Sequence, residues 1–366
     1  MKQDAHVKNK EMWTKGWKIL LVIALVIAGT SLFMNLYSVF LEDKASSAVP
    51  AEAMPAPEEE VYVIKVLAAG SADYGTLAYG SSDYQKSFER ISNLVSNYDV
   101  AAYSQKSLIM SDVSSSFADT LLGIGFNYVA LANEESLKYG KTGIDQSMNY
   151  WNSSGVVFGG TNQSTDEQNK LTVQNINGIT VAFLSITDIL NDAVPDNENY
   201  LVNIYDENRS VELVEEARWQ ADAVVVSISW SGENMQMPND RQLDIARKLA
   251  DAGASVIIGN APDAVQPVAW IDDTLVFYSA GSLISDASSL SSRIGIIGSV
   301  DISKSTVNGS TRVELTNPRA DLLISMPMNS GYSVQMMSEA DTSVSYEEYS
   351  KVLHMMDDSI RIGGLE

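Results

Sequence analysis

The spacing of apolar positions changes twice along this chain. From Ile19 to Leu41 the run ILLVIALVIAGTSLFMNLYSVFL has 23 positions without a charge. At about 1.5 Å per residue a helix of that length spans a hydrocarbon core of roughly 30 Å. The apolar region of a signal peptide is roughly 7–15 residues, so residues 19–41 read as a transmembrane helix, with the A-E-A of residues 51–53 as the competing cleavage reading. From residue 61 the spacing alternates between strand and helix periods. VYVIKVLAA (61–69) predicts a strand, and SDYQKSFERISNLVSNY (82–98) a helix capped by Ser82 or Asp83, with Phe88, Ile91 and Val95 on one face. DVAAY is a short strand, SSSFADTLLGIG a helix ending at Gly125, FNYVALA a strand, and TGIDQSMNYWNSSG a helix closed by Gly155. KLTVQNINGITVAFLSI (170–186) is two apolar-alternating runs around Asn177-Gly178, a strong hairpin signal. A helix over 209–220, the strand DAVVVSIS, a helix over 239–252 ending at Gly253, and the strands SVIIG and TLVFYSA complete the alternation.

Such alternation implies an α/β fold, with sheet flanked by helices. After about residue 293 the pattern becomes β-rich, with a final helix near 345–357. The expected organisation is a cytoplasmic N-terminus (1–18), the transmembrane anchor (19–41), an acidic Ala/Pro-rich linker (42–60), an α/β domain (61–292) and a β-rich C-terminal extension of the same domain (293–366).

Charge adds a direction. The net charge of −23 divides into +3 for residues 1–18, −5 for 42–60 and −21 for 61–366. Basic residues before the span and acidic ones after it predict a cytoplasmic N-terminus and an extracytoplasmic C-terminal domain in the cell membrane. So acidic a domain is not expected to bind nucleic acid. The chain has no cysteine, which removes disulfides, thiolate metal sites and a cysteine nucleophile.

In α/β sheets, ligands bind beyond the carboxyl ends of parallel strands. Six small polar loops fall there: GSADYG (70–75), SQKS (104–107), ANEESLKYG (132–140), SWSGE (229–233), GNAPD (259–263) and AGSL (280–283). None carries a histidine. The two histidines of the chain are His6 and His354. Nothing in the loops is therefore placed to activate a serine, and the imidazoles of a dinuclear hydrolase are missing.

The segments GFNYVALANEESLKYGKTGIDQSMNYWNSSGV, ADAVVVSISWSGE, DAGASVIIGNAPDAVQP and VFYSAGSL together resemble the CapA-type capsule and poly-γ-glutamate synthesis protein family. The resemblance covers residues 61 to 290. Ala132, Asn133, Leu137, Tyr139, Gly140, Gly143, Trp230, Glu233, Pro238, Gln242, Gly253, Gly259, Pro262, Gln266, Pro267, Tyr278, Ser279 and Gly281 fall on family positions. It implies a metallophosphoesterase-like layered α/β sandwich of the calcineurin type. The departures concern the metal ligands. The family's Gly-Asp falls on Gly70-Ser71, and its Asn-Leu-Glu on Ser104-Gln105-Lys106. Its Ala-Asn-Asn-His falls on Ala132-Asn133-Glu134-Glu135, and its His-Trp-Gly on Ser229-Trp230-Ser231. Its Gly-His-His-Pro-His falls on Gly259-Asn260-Ala261-Pro262-Asp263, and its Ser-Leu-Gly-Asn on Ser279-Ala280-Gly281-Ser282.

The expectation is a degenerate member: a non-catalytic component of capsule, poly-γ-glutamate or envelope polymer synthesis or export, without catalytic residues or a cofactor. Its partners would be the membrane, through residues 19–41, membrane proteins of the polymer machinery, and a polymer or glycan. The vestigial cleft would comprise Ser71, Lys106, Asn133, Glu134, Glu135, Ser229, Trp230, Glu233, Asn260, Asp263 and Ser282. Lys106 is expected to pair with Glu135 or Asp263, supplying the positive charge that a metal would have carried. Two alternatives stand beside this. One is a metal-dependent phosphoesterase with Glu134, Glu135 and Asp263 as oxygen ligands. The other is a glycan-binding surface module using Trp230.

Overall fold

The computed structural model describes residues 3–46, 59–73, 84–232, 236–262 and 264–365. The chain divides into two units, Met1–Glu58 and Glu59–Glu366. In the first, α1 (Gln3–Ser46) is a single helix containing Leu20–Phe40, whose mean hydropathy of 2.1 and length suffice to cross a membrane.

In the second unit, β1 (Glu59–Ala72) leads to α2 (Gln85–Val95), which buries Phe88, Ile91 and Val95 as their spacing predicts. Its N-cap is Tyr84, with no side-chain cap; the expected caps Ser82 and Asp83 lie outside the described residues. Next come β2 (Val100–Gln105), α3 (Asp112–Gly123), β3 (Tyr128–Ala130), α4 (Gly140–Ser154) and β4 (Val157–Gly159). Gly155 ends α4 in the left-handed region at φ 75°, which glycine enters without steric cost. The short α5 (Thr165–Gln168) precedes the hairpin of β5 (Thr172–Ile176) and β6 (Ile179–Thr187). Asn177 and Gly178 have φ of 48° and 90°, as a two-residue turn between twisted strands requires. Then follow α6 (Glu207–Gln220), β7 (Ala223–Ser229), α7 (Asp240–Ala252), β8 (Val256–Asn260), β9 (Val268–Ile271), β10 (Thr274–Phe277) and β11 (Ser282–Ile284). The chain ends with β12 (Ile294–Val307), β13 (Ser310–Pro327), β14 (Tyr332–Met336), α8 (Tyr346–Leu353) and β15 (Arg361–Ile362). The last helix is shorter than the 345–357 its sequence suggests.

Among the described residues the strands form two sheets. The first runs β14-β13-β12-β1-β2-β3-β4, with β11 beside β1 and β15 beside β13; the second runs β5-β6-β7-β8-β10-β9. Alternation along β1 shows how they stack, since successive side chains of a strand point to opposite faces. Ile64, Val66 and Ala68 join Val181, Val225, Ile258 and Phe277 of the second sheet in one core. Leu67 and Ala69 join Phe88, Phe117 and Trp151 of α2, α3 and α4 in another. On the far side, Val224 and Val226 pack with Val214 of α6 and Ile245 and Leu249 of α7. The unit is therefore a four-layer α/β/β/α sandwich. The β-rich residues after 293 lie within it, because β12 pairs with β1 over Glu59–Ala69.

Candidate functional site

The parallel run β1-β2-β3-β4 ends its strands at the same edge of the sandwich as β6-β7-β8-β10, and one backbone contact joins the two groups. Ser71 N donates to Gly281 O at 3.0 Å, and Ser71 lies in register with Ser104 on one side and Ser282 on the other. A Cβ at Gly70 would meet Gly281 O at 2.3 Å and Ala280 O at 2.7 Å, so only glycine permits this approach. From there Ala280 N reaches Gly259 O, and Trp230 N reaches Asn260 O. Five of the six predicted loops are thus linked directly or through their strand neighbours, and the sixth, 132–140, joins through Asn133.

On the first sheet, Asn133 is buried and its side chain is fully engaged. Its Nδ2 donates to Gln105 O at 2.8 Å, and its Oδ1 accepts from Glu135 N at 2.9 Å. Ser136 Oγ accepts from Asn133 N and donates to Leu131 O, closing a tight turn. That turn sends its two glutamates to different partners. Lys106 Nζ donates to Glu134 Oε1 at 2.8 Å, with Glu134 nearly buried. Glu135 instead takes Lys138 at 2.8 Å and the Asn191 amide at 3.2 Å. The expected Lys106–Glu135 pair is corrected accordingly; Asp263 and Glu233 lie outside the described residues. Burial pushes the Glu135 carboxyl up, but the Lys138 ammonium, then Lys106 and Asn191, outweigh it and hold the carboxyl below its ordinary value.

On the second sheet the corresponding positions are buried and neutral. Ser229 lies level with Asn260, and its carbonyl accepts from Asp188 N at 2.7 Å. The Asn260 amide reaches Ser227 Oγ and Ile258 O, each at 3.3 Å, while its Oδ1 has no partner among the described residues. Trp230 is fully buried, stacks on Tyr278 at 6.1 Å between centroids, and donates Nε1–H to Tyr278 O at 2.8 Å. It has no free face for a sugar, which rules out the alternative in which it stacks on a glycan. Its neighbour Gly259 lies so close that a Cβ would stand 2.7 Å from the indole.

Two groups in this region were not singled out from the sequence. A cavity of about 160 Å³ is lined by Asp73, Lys106, Ser107, Leu108, Glu135, Lys138 and Tyr139, with Ser107 Oγ donating to Asp73. Both Asp73 and Ser107 sit inside loops already marked, two positions from Ser71 and one from Lys106. Asn191 belongs to a seventh loop, after β6, whose amide nitrogen also donates to Glu134 O. Reading β6 only as half of a hairpin hid that loop.

These residues do not fit a dinuclear metal centre. Among the described residues, the positions facing the junction supply hydroxyls, the two carboxamides of Asn133 and Asn260 and an ammonium, and a protonated lysine repels a cation rather than ligating it. Glu134 and Glu135 are engaged by lysines, and among the described residues no three His, Cys, Asp or Glu side chains come together as a metal-binding group.

Comparison with known proteins bears on this end of the sandwich. The family model described as "Bacterial capsule synthesis protein PGA_cap" matches residues 66–287, which include the end of β1 and every other strand that delivers a loop to it. The chain belongs to this family. Among its PGA_cap relatives, the "PGA biosynthesis protein CapA" of Bacillus subtilis (strain 168) is 29% identical over 262 residues, covering 70% of this chain and 67% of that protein. The "Capsule biosynthesis protein CapA" of Bacillus anthracis is 27% identical over 167 residues, covering 44% of this chain and 41% of that protein. A crystal structure of a candidate 5′-nucleotidase from Staphylococcus aureus in complex with alpha-ketoglutarate is similar at a TM-score of 0.46. It shares 11% sequence identity, over 80% of this chain and 58% of that one.

Proposed function

We propose that this PGA_cap member is a non-catalytic component of capsule, poly-γ-glutamate or related envelope polymer synthesis or export. It is anchored by residues 19–41, with its N-terminus cytoplasmic and its sandwich on the extracytoplasmic side. The observation that carries the non-catalytic reading is the Lys106–Glu134 ion pair at the junction of the strand ends. Among the described residues, a fixed ammonium there, beside buried hydroxyls and the Asn133 and Asn260 amides, leaves no hard-cation donor set and nothing to lower the pKa of a water. The anchoring reading is supported by Leu20–Phe40 and by the switch from basic to acidic residues across it. A charge of −21 after the linker opposes a direct grip on a polyanion, so contact with membrane-protein partners suits the electrostatics better.

The test uses the full chain purified in detergent and incubated with Mn, Fe, Zn, Mg or Ca. Elemental analysis should find no stoichiometric metal, and p-nitrophenyl phosphate should not be hydrolysed above the buffer rate. One metal or more per chain, with metal-dependent hydrolysis, would overturn the reading and favour the phosphoesterase alternative.

A further inference from the structure

One face of the first sheet gathers basic side chains in a chain that is otherwise acidic. Residues in register on neighbouring strands share a face. The pairs Lys65–Asp301, Ser299–Arg319 and Arg319–Arg361 carry one face from β1 across β12 and β13 to β15. A cavity of about 390 Å³ opens there, lined by Lys65, Arg319 and Arg361 together with Tyr98, Ser299 and Asp301. That volume suits a small molecule. The chain has 47 acidic against 24 basic residues, yet among the described residues none of these three bases forms an ion pair. Asp301, the carboxylate nearest to them in register, instead accepts from Asn317 Nδ2 at 2.8 Å. One extra residue of β13 between Thr316 and Arg319 interrupts the pairing with β12, and Asn317 there has a φ of 53°. Bulges of this kind re-aim side chains and gather beside sites. Arg319 and Arg361 stand in register on adjacent strands, where like charges repel. A Cβ built on Gly364 would lie 3.0 Å from Arg319 Nη1 and 3.4 Å from Arg361 Nη2, so both guanidinium groups close on one point.

We propose that this cavity binds the phosphate group of a phosphomonoester. Three bases against one aspartate leave the lining positive. A phosphomonoester carries a charge of about −1.5 to −2 at neutral pH and three acceptor oxygens. Two arginine forks and an ammonium match three oxygens, whereas a carboxylate offers two. The charge of −21 over residues 61–366 repels a polymer of carboxylates along its length, while a single phosphate answers mainly to the local field. Lys65 lies six positions before Ser71 along β1, so the cavity is separate from the strand-end junction and independent of the role proposed for it.

The test is equilibrium dialysis of the full chain in detergent against radiolabelled inorganic phosphate, with phenyl phosphate and glutarate as competitors. Ionic strength is held constant, because salt screens exposed charges. Saturable uptake is expected, and glutarate should compete about tenfold more weakly than phenyl phosphate. Arg319→Gln and Arg361→Gln should each weaken binding about tenfold or more, the worth of one charge-assisted contact. Lys351→Gln removes a charge paired elsewhere with Glu347 and should leave binding unchanged. In phosphate-free buffer Arg361→Gln should melt no lower than wild type, because the exposed guanidinium has only repulsion to lose; a purely structural arginine gives the opposite. In nanodiscs of phosphatidylcholine, loss of phosphate uptake on adding phosphatidic acid identifies a lipid headgroup as the source, and unchanged uptake a soluble phosphomonoester; both support a phosphate site. No saturable uptake, equal losses in Arg361→Gln and Lys351→Gln, or glutarate competing as well as phenyl phosphate would overturn the proposal.

Discussion

Replacing Lys106 by methionine removes an ammonium and keeps most of the side chain's volume, so the change isolates charge. Glu134 is then left as a carboxylate whose side chain is 11% exposed, with its former partner gone. Exposed ion pairs contribute roughly 0–1 kcal/mol. Breaking a fully buried pair costs roughly 3–5 kcal/mol, because an uncompensated charge stays inside. The lysine end is 28% exposed, which places this pair between those limits, and a loss of about 2 kcal/mol is expected. For a folded unit of about 300 residues the unfolding entropy is about 0.6 kcal/mol per kelvin, so the melting temperature should fall by about 3 °C. Glu134→Gln should cost less, since an amide tolerates burial better than a charge. The double variant Lys106→Met, Glu134→Gln should recover most of the loss, because removing both partners of a buried pair is often nearly neutral. Thermal unfolding followed by circular dichroism on the full chain measures all three. A Lys106→Met protein that melts within 1 °C of wild type (~1 °C being the useful precision against the shift estimated above), or a double variant as unstable as the single, would refute the claim that this pair holds the loop end together.

Gly70→Ala should lower stability by more than about 2 kcal/mol, because its Cβ meets two backbone carbonyls that have no room to move; unchanged melting would show that the contact with Gly281 is dispensable. Trp230→Ala should cost about 3–5 kcal/mol through cavity formation, and Trp230→Phe less. Calorimetric unfolding checks both, and a near-neutral Trp230→Ala would reopen a surface role for this residue. Burial raises the Asp222 carboxyl, but Lys304 and the Thr180 backbone and hydroxyl outweigh it, so its pKa lies below the ordinary 3.8. A depressed carboxyl contributes stability that is present above pH 3.8 and is lost as pH falls through the folded value. Asp222→Asn should therefore be less stable than wild type at neutral pH, and the gap should close as pH falls below 3.8 through the lowered folded value in acid titrations of stability.

Local signals in the sequence were physically sufficient where one residue type answers one backbone demand. Asn177-Gly178 prescribed the hairpin, and Gly125, Gly155 and Gly253 marked helix ends in the left-handed region. Phe88, Ile91 and Val95 fixed the buried face of α2. The short strands β4 and β11 were not legible, because three residues carry too little periodicity to announce themselves. The assignment of Lys106 to Glu134 rather than Glu135 was not legible either. Adjacent glutamates differ only in which way a turn throws them, and that turn is set by Asn133 bonding to Gln105 of another strand and to Glu135 of its own.

The same division runs through the whole molecule. By itself the sequence determined the apolar span, the acidic balance, the alternation of helix and strand, the loops at the strand ends and the lack of histidine among them. Each of these is a property of composition or of near neighbours. Tertiary structure alone decided that β12 completes the first sheet beside β1, that Trp230 is sealed against Tyr278, and that Gly70 and Gly281 bring two sheets to one junction. It also decided that, among the described residues, β2 pairs with β1 only from Val66 onward. Those are contacts between residues up to 248 positions apart along β1 and β12, such as Glu59 with Val307. Nothing in local spacing encodes them, because they are fixed only when the two sheets close on a shared core.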